Sequence, residues 1–273
     1  MTLKLRNTMM KLLLVFSLTF LILAVTSFFF STISGTLIPP PTTNRYLTVF
    51  RYDFIAMILS LFTIITFVSG ISYFLVRYFN HNQSSEISYL MIFLIGLLAD
   101  SVRIFIISMN IWQSFTELLI LMSKAVLFGK TVSVVSLFFI AITNDVTERK
   151  NTGRNIAIII AVSIFISSIF PLNTYKIEPI GMVVIGFKKA YHIARLIFVG
   201  ATFLAFILNA ITKDTSESKQ NMLKIAFSYI FVVLGYFILS ASDCFFMMIT
   251  GAILFLPGMS LFLSSIHKLY LWQ

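Results

Sequence analysis

The sequence predicts an all-α fold: a polytopic integral membrane bundle of eight transmembrane helices, forming a single transmembrane domain over residues 1–273. Three observations lead there. Hydrophobic residues make up 59% of the chain and charged residues 11%, and the mean hydropathy is +0.98; soluble domains carry about 25% charged residues. Thirty of the 273 residues are Phe, more apolar surface than one soluble core of this size can hide. The apolar residues are also grouped into runs close to the ~20 residues that cross a ~30 Å hydrocarbon core.

Eight such runs follow one another, at 12–33, 54–78, 88–112, 115–143, 155–172, 191–211, 223–242 and 245–266. The first follows the basic residues Lys4, Arg6 and Lys11. Its apolar length exceeds the about 7–15 residues of a cleavable signal. Residues 1–33 are therefore expected to be a signal-anchor helix in front of a seven-helix bundle over 54–267. Cleavage near Thr32-Ile33-Ser34 is the alternative, and it would leave seven helices. Pro39-Pro40-Pro41 stiffens the connection to the second run as a polyproline segment. Between the fifth and sixth runs, the outer loop 173–189 places β-branched stretches around Glu178-Pro179-Ile180-Gly181. That pattern suits a β-hairpin, with an irregular half-buried loop as the alternative. The polar step Ser240-Ala241-Ser242-Asp243 separates the last two runs, and Pro257-Gly258 is expected to kink the last.

Charge orients the bundle. Of 20 Lys and Arg residues, eleven fall on the side of the N-terminus, five on the other side, and four inside the runs. The positive-inside bias places both termini in the cytoplasm. The expected location is the cytoplasmic (inner) membrane of a bacterium, multi-pass, with the lipid bilayer as the main partner. The same bias accounts for the formal charge of +10 without nucleic acid, since no basic stripe is interleaved with aromatic residues. Tyr46, Tyr52, Tyr73, Tyr78, Trp112, Tyr191, Tyr270 and Trp272 fall near the ends of runs and are expected to form an aromatic belt.

The sharpest signal is the charge inside the runs. Asp100 and Arg103 lie in the third, Lys124 and Lys130 in the fourth, and Arg195 near the start of the sixth. Each such residue costs about 2.5–3.5 kcal/mol on insertion scales, so it must be paired, hydrated or used. Asp100 and Arg103, three apart, share one helix face. At 1.5 Å per residue, Arg103 and Lys124 are expected at about the same depth, ~14 Å from the outer end, with Asp100 ~18 Å down. Lys124 and Lys130 are about 120° apart around their helix, so Asp100 is not expected to neutralise both. Glu117 can add a carboxylate toward the outer edge. The functional reading is a water-filled outer cavity for a small anionic or zwitterionic ligand, lined by Asp100, Arg103, Lys124, Lys130, Glu117 and Arg195. The alternative is an Asp100–Arg103–Lys124 network that only locks two helices.

Other chemistry lacks its residues. A single cysteine, Cys244, excludes an intrachain disulfide and a Cys-rich metal site. His81, His192 and His267 are placed apart, and neither Gly-x-Ser-x-Gly nor His-Glu-x-x-His occurs. No catalytic residue, cofactor or metal is expected, and the chain is not expected to be an enzyme. An anchor followed by seven helices is similar, in helix count and orientation, to the membrane sensory modules of bacterial signalling proteins. That resemblance implies a sensor. With the chain ending shortly after His267, a cytoplasmic or membrane protein partner would carry the signal. A small-solute transporter or permease subunit, or a structural subunit of a membrane complex, are the competing expectations.

Overall fold

The computed structural model describes residues 3–40, 50–79, 86–113, 117–143, 151–212 and 216–271. Pro41, Arg45, Tyr46, His81, Phe115, Arg149, Lys150, Lys213 and Trp272, which enter the expectations above, lie outside the described residues. The helices are α1 (Leu3–Ile33), α2 (Phe54–Tyr78), α3 (Glu86–Ser101), α4 (Arg103–Ser108), α5 (Glu117–Ile142), α6 (Thr152–Ile169), α7 (Lys188–Ile211), α8 (Ser216–Ala241) and α9 (Phe245–Leu271). With α3 and α4 counted as one span, eight are long and apolar enough to cross a membrane.

Contacts at the helix ends define two faces. At the terminal face, Arg6 of α1 donates to the Phe79 carbonyl at 3.0 Å, and Phe79 meets His267 of α9 edge-on. Nearby, Asn155 at the start of α6 donates to the Tyr89 hydroxyl, and Asn209 near the end of α7 donates to the Ala141 carbonyl. At the opposite face, α2 starts at Asp53, whose Oδ1 accepts from the amides of Ile55 and Ala56 at 2.8 and 3.1 Å. This N-cap satisfies amides that have no partner within the helix. The Asp53 amide in turn donates to the Asp243 carbonyl in the α8–α9 turn.

α1 belongs to the bundle. Its Phe20 packs edge-on against Phe105 of α4 at 5.2 Å, its Phe28 against Phe62 of α2, and its Ser27 hydroxyl lies 2.6 Å from that of Ser108.

Glycine sets two close helix crossings. A Cβ on Gly129 of α5 would stand 2.5 Å from the Asp100 amide nitrogen and 2.6 Å from the Gly96 carbonyl oxygen of α3. A Cβ on Gly235 of α8 would stand 2.5 Å from the Phe255 amide nitrogen of α9. Small residues let backbones approach this closely, which is how apolar helices gain packing energy where hydrophobic burial gives little. The buried core runs through α2, α3, α5, α8 and α9. By contrast α6 and α7 turn large apolar side chains outward, among them Phe165, Ile169, Leu196, Ile197, Leu204 and Leu208.

Between α6 and α7 the chain forms an antiparallel hairpin, β1 (Leu172–Ile177) and β2 (Val183–Ile185), with an irregular register between Asn173 and Ile177. It turns at Gly181, whose φ of +79° suits glycine. The hairpin folds inward: Met182 and Ile185 pack with Val126, Leu127 and Tyr191, and Val183 with Ile106, Ile111 and Leu119. The Val183 amide donates to the Ser123 hydroxyl of α5 at 3.2 Å. This is the hairpin face.

Two expectations are corrected. The third run is interrupted at Val102, where the amide of Val102 reaches back three residues to the Ala99 carbonyl and that of Phe105 to the Val102 carbonyl. The ladder tightens there to 3-10 spacing, which commonly marks a functional or strained point. Tyr191, expected in an interfacial belt, is fully buried, because the hairpin and α5 close over it.

Candidate functional site

The tightened turn at Val102 presents Asp100 and Arg103 toward one partner helix, α8. Asp100 is fully buried, and its Oδ2 accepts from the Ser240 hydroxyl at 2.7 Å and the Tyr236 hydroxyl at 3.2 Å. Ser240 and Tyr236 are four apart and therefore share one face of α8. Asp100 Oδ1 faces two cations as ion pairs, Arg103 Nε at 3.3 Å and Lys130 Nζ at 3.7 Å.

Arg103 is also tied to backbone. Nε donates to the Asp100 carbonyl at 3.1 Å, and Nη1 to the Ser240 carbonyl at 2.9 Å. Lys130 Nζ donates to the Ser240 hydroxyl at 3.0 Å. The Gly96–Gly129 crossing explains why Lys130 reaches this point. It brings the backbones of α3 and α5 into contact one residue from Lys130, beside Asp100.

Arg195 of α7 completes the basic group. It is 7% exposed, and its guanidinium carbon lies 4.1 Å from the Phe237 ring centre and 5.6 Å from that of Tyr191. Such stacking is worth about 0.5–2 kcal/mol, but it satisfies no N–H. Arg195 Nε and Nη2, and Nη2 of Arg103, are buried without a hydrogen-bond partner among the described residues. Arg103 and Lys130 thus share one carboxylate, Arg195 has no ion pair among the described residues, and three buried donors are unused. Leaving such donors unmade costs about 1–3 kcal/mol each, more on a charged group.

The hairpin lies over the cluster. A Cβ on Gly181 at its turn would stand 2.6 Å from Ile107 Cγ1 and 4.0 Å from the Arg103 carbonyl oxygen. Tyr191 lies beneath, its hydroxyl 3.4 Å from that of Thr131 and from the Leu127 carbonyl.

Of the six residues expected in the site, Asp100, Arg103, Lys130 and Arg195 come together, whereas Lys124 and Glu117 do not join them. Lys124 Nζ donates to the carbonyls of Ser167, Ser168 and Phe170 at 2.7, 3.2 and 2.7 Å. It closes the C-terminal end of α6, where carbonyls lack helical partners and the helix dipole favours a cation. The expected Asp100–Arg103–Lys124 network is therefore Asp100–Arg103–Lys130. The reason is angular, since about 120° around α5 separates the two lysines. Glu117 is exposed in the first turn of α5.

Tyr236, Tyr191, Thr131 and Phe237 are site neighbours that the sequence reading did not place here. The signal for Tyr236 is its spacing of four from Ser240, a residue of the polar step between the last two runs. Among the described residues no three His, Cys, Asp or Glu side chains gather as metal ligands would. Compared with protein-family models and with curated proteins, the chain matches none.

Proposed function

We propose that this chain is a multi-pass integral membrane protein without enzymatic activity. It binds a small anionic or zwitterionic molecule at the Arg103–Lys130–Arg195 cluster, reached from the hairpin face. Occupancy is passed to a membrane or cytoplasmic protein partner. Eight apolar spans support the membrane setting. The Lys and Arg bias supports a cytoplasmic terminal face and an outward hairpin face, in the inner membrane of a bacterium. One observation carries the ligand: Arg103 and Lys130 share a single carboxylate, Arg195 is buried without an ion pair among the described residues, and guanidinium donors are left unused. Buried charges are ordinarily paired, so an excess of one sign calls for a counter-charge.

The test is thermal unfolding of the protein purified in lipid nanodiscs, titrated with inorganic phosphate, acetate and glycine. A ligand that binds only the folded state raises Tm with concentration. Stabilisation by at least one probe, absent in Lys130→Met, is the expected result; no shift with any probe overturns the proposal.

A permease subunit is the second reading. The 3-10 tightening at Val102, beside the charged cluster, favours it, because transporter sites are built at helix discontinuities. Flux of the stabilising probe into liposomes holding this protein alone would select it over the sensor.

A further inference from the structure

The two unused nitrogens of Arg195 are not an arbitrary pair. Nε and Nη2 carry parallel N–H bonds on one edge of the planar guanidinium, the edge that grips two oxygens of an oxoanion at once. Both are buried without a partner among the described residues, while the guanidinium carbon lies over the Phe237 ring at 4.1 Å and 5.6 Å from the Tyr191 ring centre. The aromatic contacts satisfy no N–H and leave that edge without a hydrogen-bond partner among the described residues. Asp100 bears on the other half of the question. Its Oδ2 accepts hydrogen bonds from Ser240 and Tyr236, and its Oδ1 is ion-paired with Arg103 and Lys130. Asp100 Oδ1 faces these two cations without a hydrogen bond, and a ligand ammonium placed there would stand against like charges that already outnumber the carboxylate.

We infer that the ligand head group is an oxoanion, a carboxylate or phosphate, held side-on by Arg195 Nε and Nη2. Arg103 Nη2 and Lys130 add positive charge, and the ligand itself carries no ammonium group beside its anion. This rests on the anion-site reading above and narrows it: an anionic ligand in place of a zwitterion, and a two-oxygen contact in place of a monatomic ion. Lysine cannot replace Arg195, because a point charge has no paired donors.

The experiment measures binding of acetate, inorganic phosphate, chloride and glycine to the full chain in nanodiscs at matched ionic strength, with wild type and Arg195→Lys. Acetate or phosphate is expected to bind at least tenfold more tightly than chloride and glycine, and Arg195→Lys to weaken that binding at least tenfold. Chloride or glycine binding as tightly, or Arg195→Lys binding acetate and phosphate like wild type, overturns the oxoanion inference while the anion site stands. No binding of any probe overturns both. Should Arg195→Lys fail to fold, the wild-type ranking of the four probes decides alone.

Discussion

Lys124 and Lys130 sit six residues apart on α5 and do different work. Lys124 reaches across to the end of α6 and closes three backbone carbonyls. Lys130 turns to the other side, to Asp100 and Ser240. The first region is a finished structural joint, in which one cation meets as many acceptors as it has donors. The second is unbalanced, with basic groups in excess and buried donors unused. Ionisable residues inside apolar helices therefore cannot be read by depth alone. Direction around the helix decides whether a buried lysine is a fastening or part of a site.

The comparison breaks most severely at its shared acid. Asp100→Asn leaves Arg103 and Lys130 without their carboxylate, and removing one member of a buried pair costs about 3–5 kcal/mol. Chemical unfolding of the purified protein should show that loss; a stability within 1 kcal/mol of wild type would contradict the assigned pairing.

Next comes the crossing that turns Lys130 inward. Gly129→Ala places a Cβ within 2.6 Å of two backbone atoms of α3, and overpacking of this kind costs about 1–3 kcal/mol. It should also weaken anion binding, because α3 and α5 must separate. Unchanged stability would show that this crossing is looser than described.

Lys124→Met sharpens the contrast further. It removes charge-assisted bonds at a half-buried position, a loss of about 1–2 kcal/mol, yet should leave anion binding as it was. Anion binding that falls with this variant would return Lys124 to the site. The smallest effect is expected at the hairpin's exposed ion pair, Lys188–Glu178 at 2.7 Å. Lys188→Gln should cost about 0.5 kcal/mol and less at high salt, measurable as a small shift in the unfolding midpoint.

Much of the frame was legible in the sequence. Run length and composition sufficed for eight apolar helices, because hydrocarbon thickness fixes how many apolar residues a span needs. Asp100 and Arg103 could be placed on one face because their spacing is local. The partner of that pair was not legible, because it depends on which side of α5 meets α3. The clue lay in Gly96 and Gly129, small residues that bring two backbones together and set the rotation of both helices. Without it, depth along the helix favoured Lys124 as strongly as Lys130. Tyr191 was misread for a related reason. Its position at the end of an apolar run suited an interface, but burial came from the hairpin, whose inward fold is a tertiary property. Arg195 could be suspected from its position, while the stacking on Phe237 that frees one edge of its guanidinium needed the structure.

The buried basic cluster is proposed to hold an anion in the folded protein. Isothermal titration of acetate and of inorganic phosphate into the purified wild type, Lys130→Met and Lys124→Met tests it most directly. One site per chain is expected for at least one of the two, weakened several-fold by Lys130→Met and unchanged by Lys124→Met. Absence of binding to wild type, or equal binding by all three proteins, would contradict it.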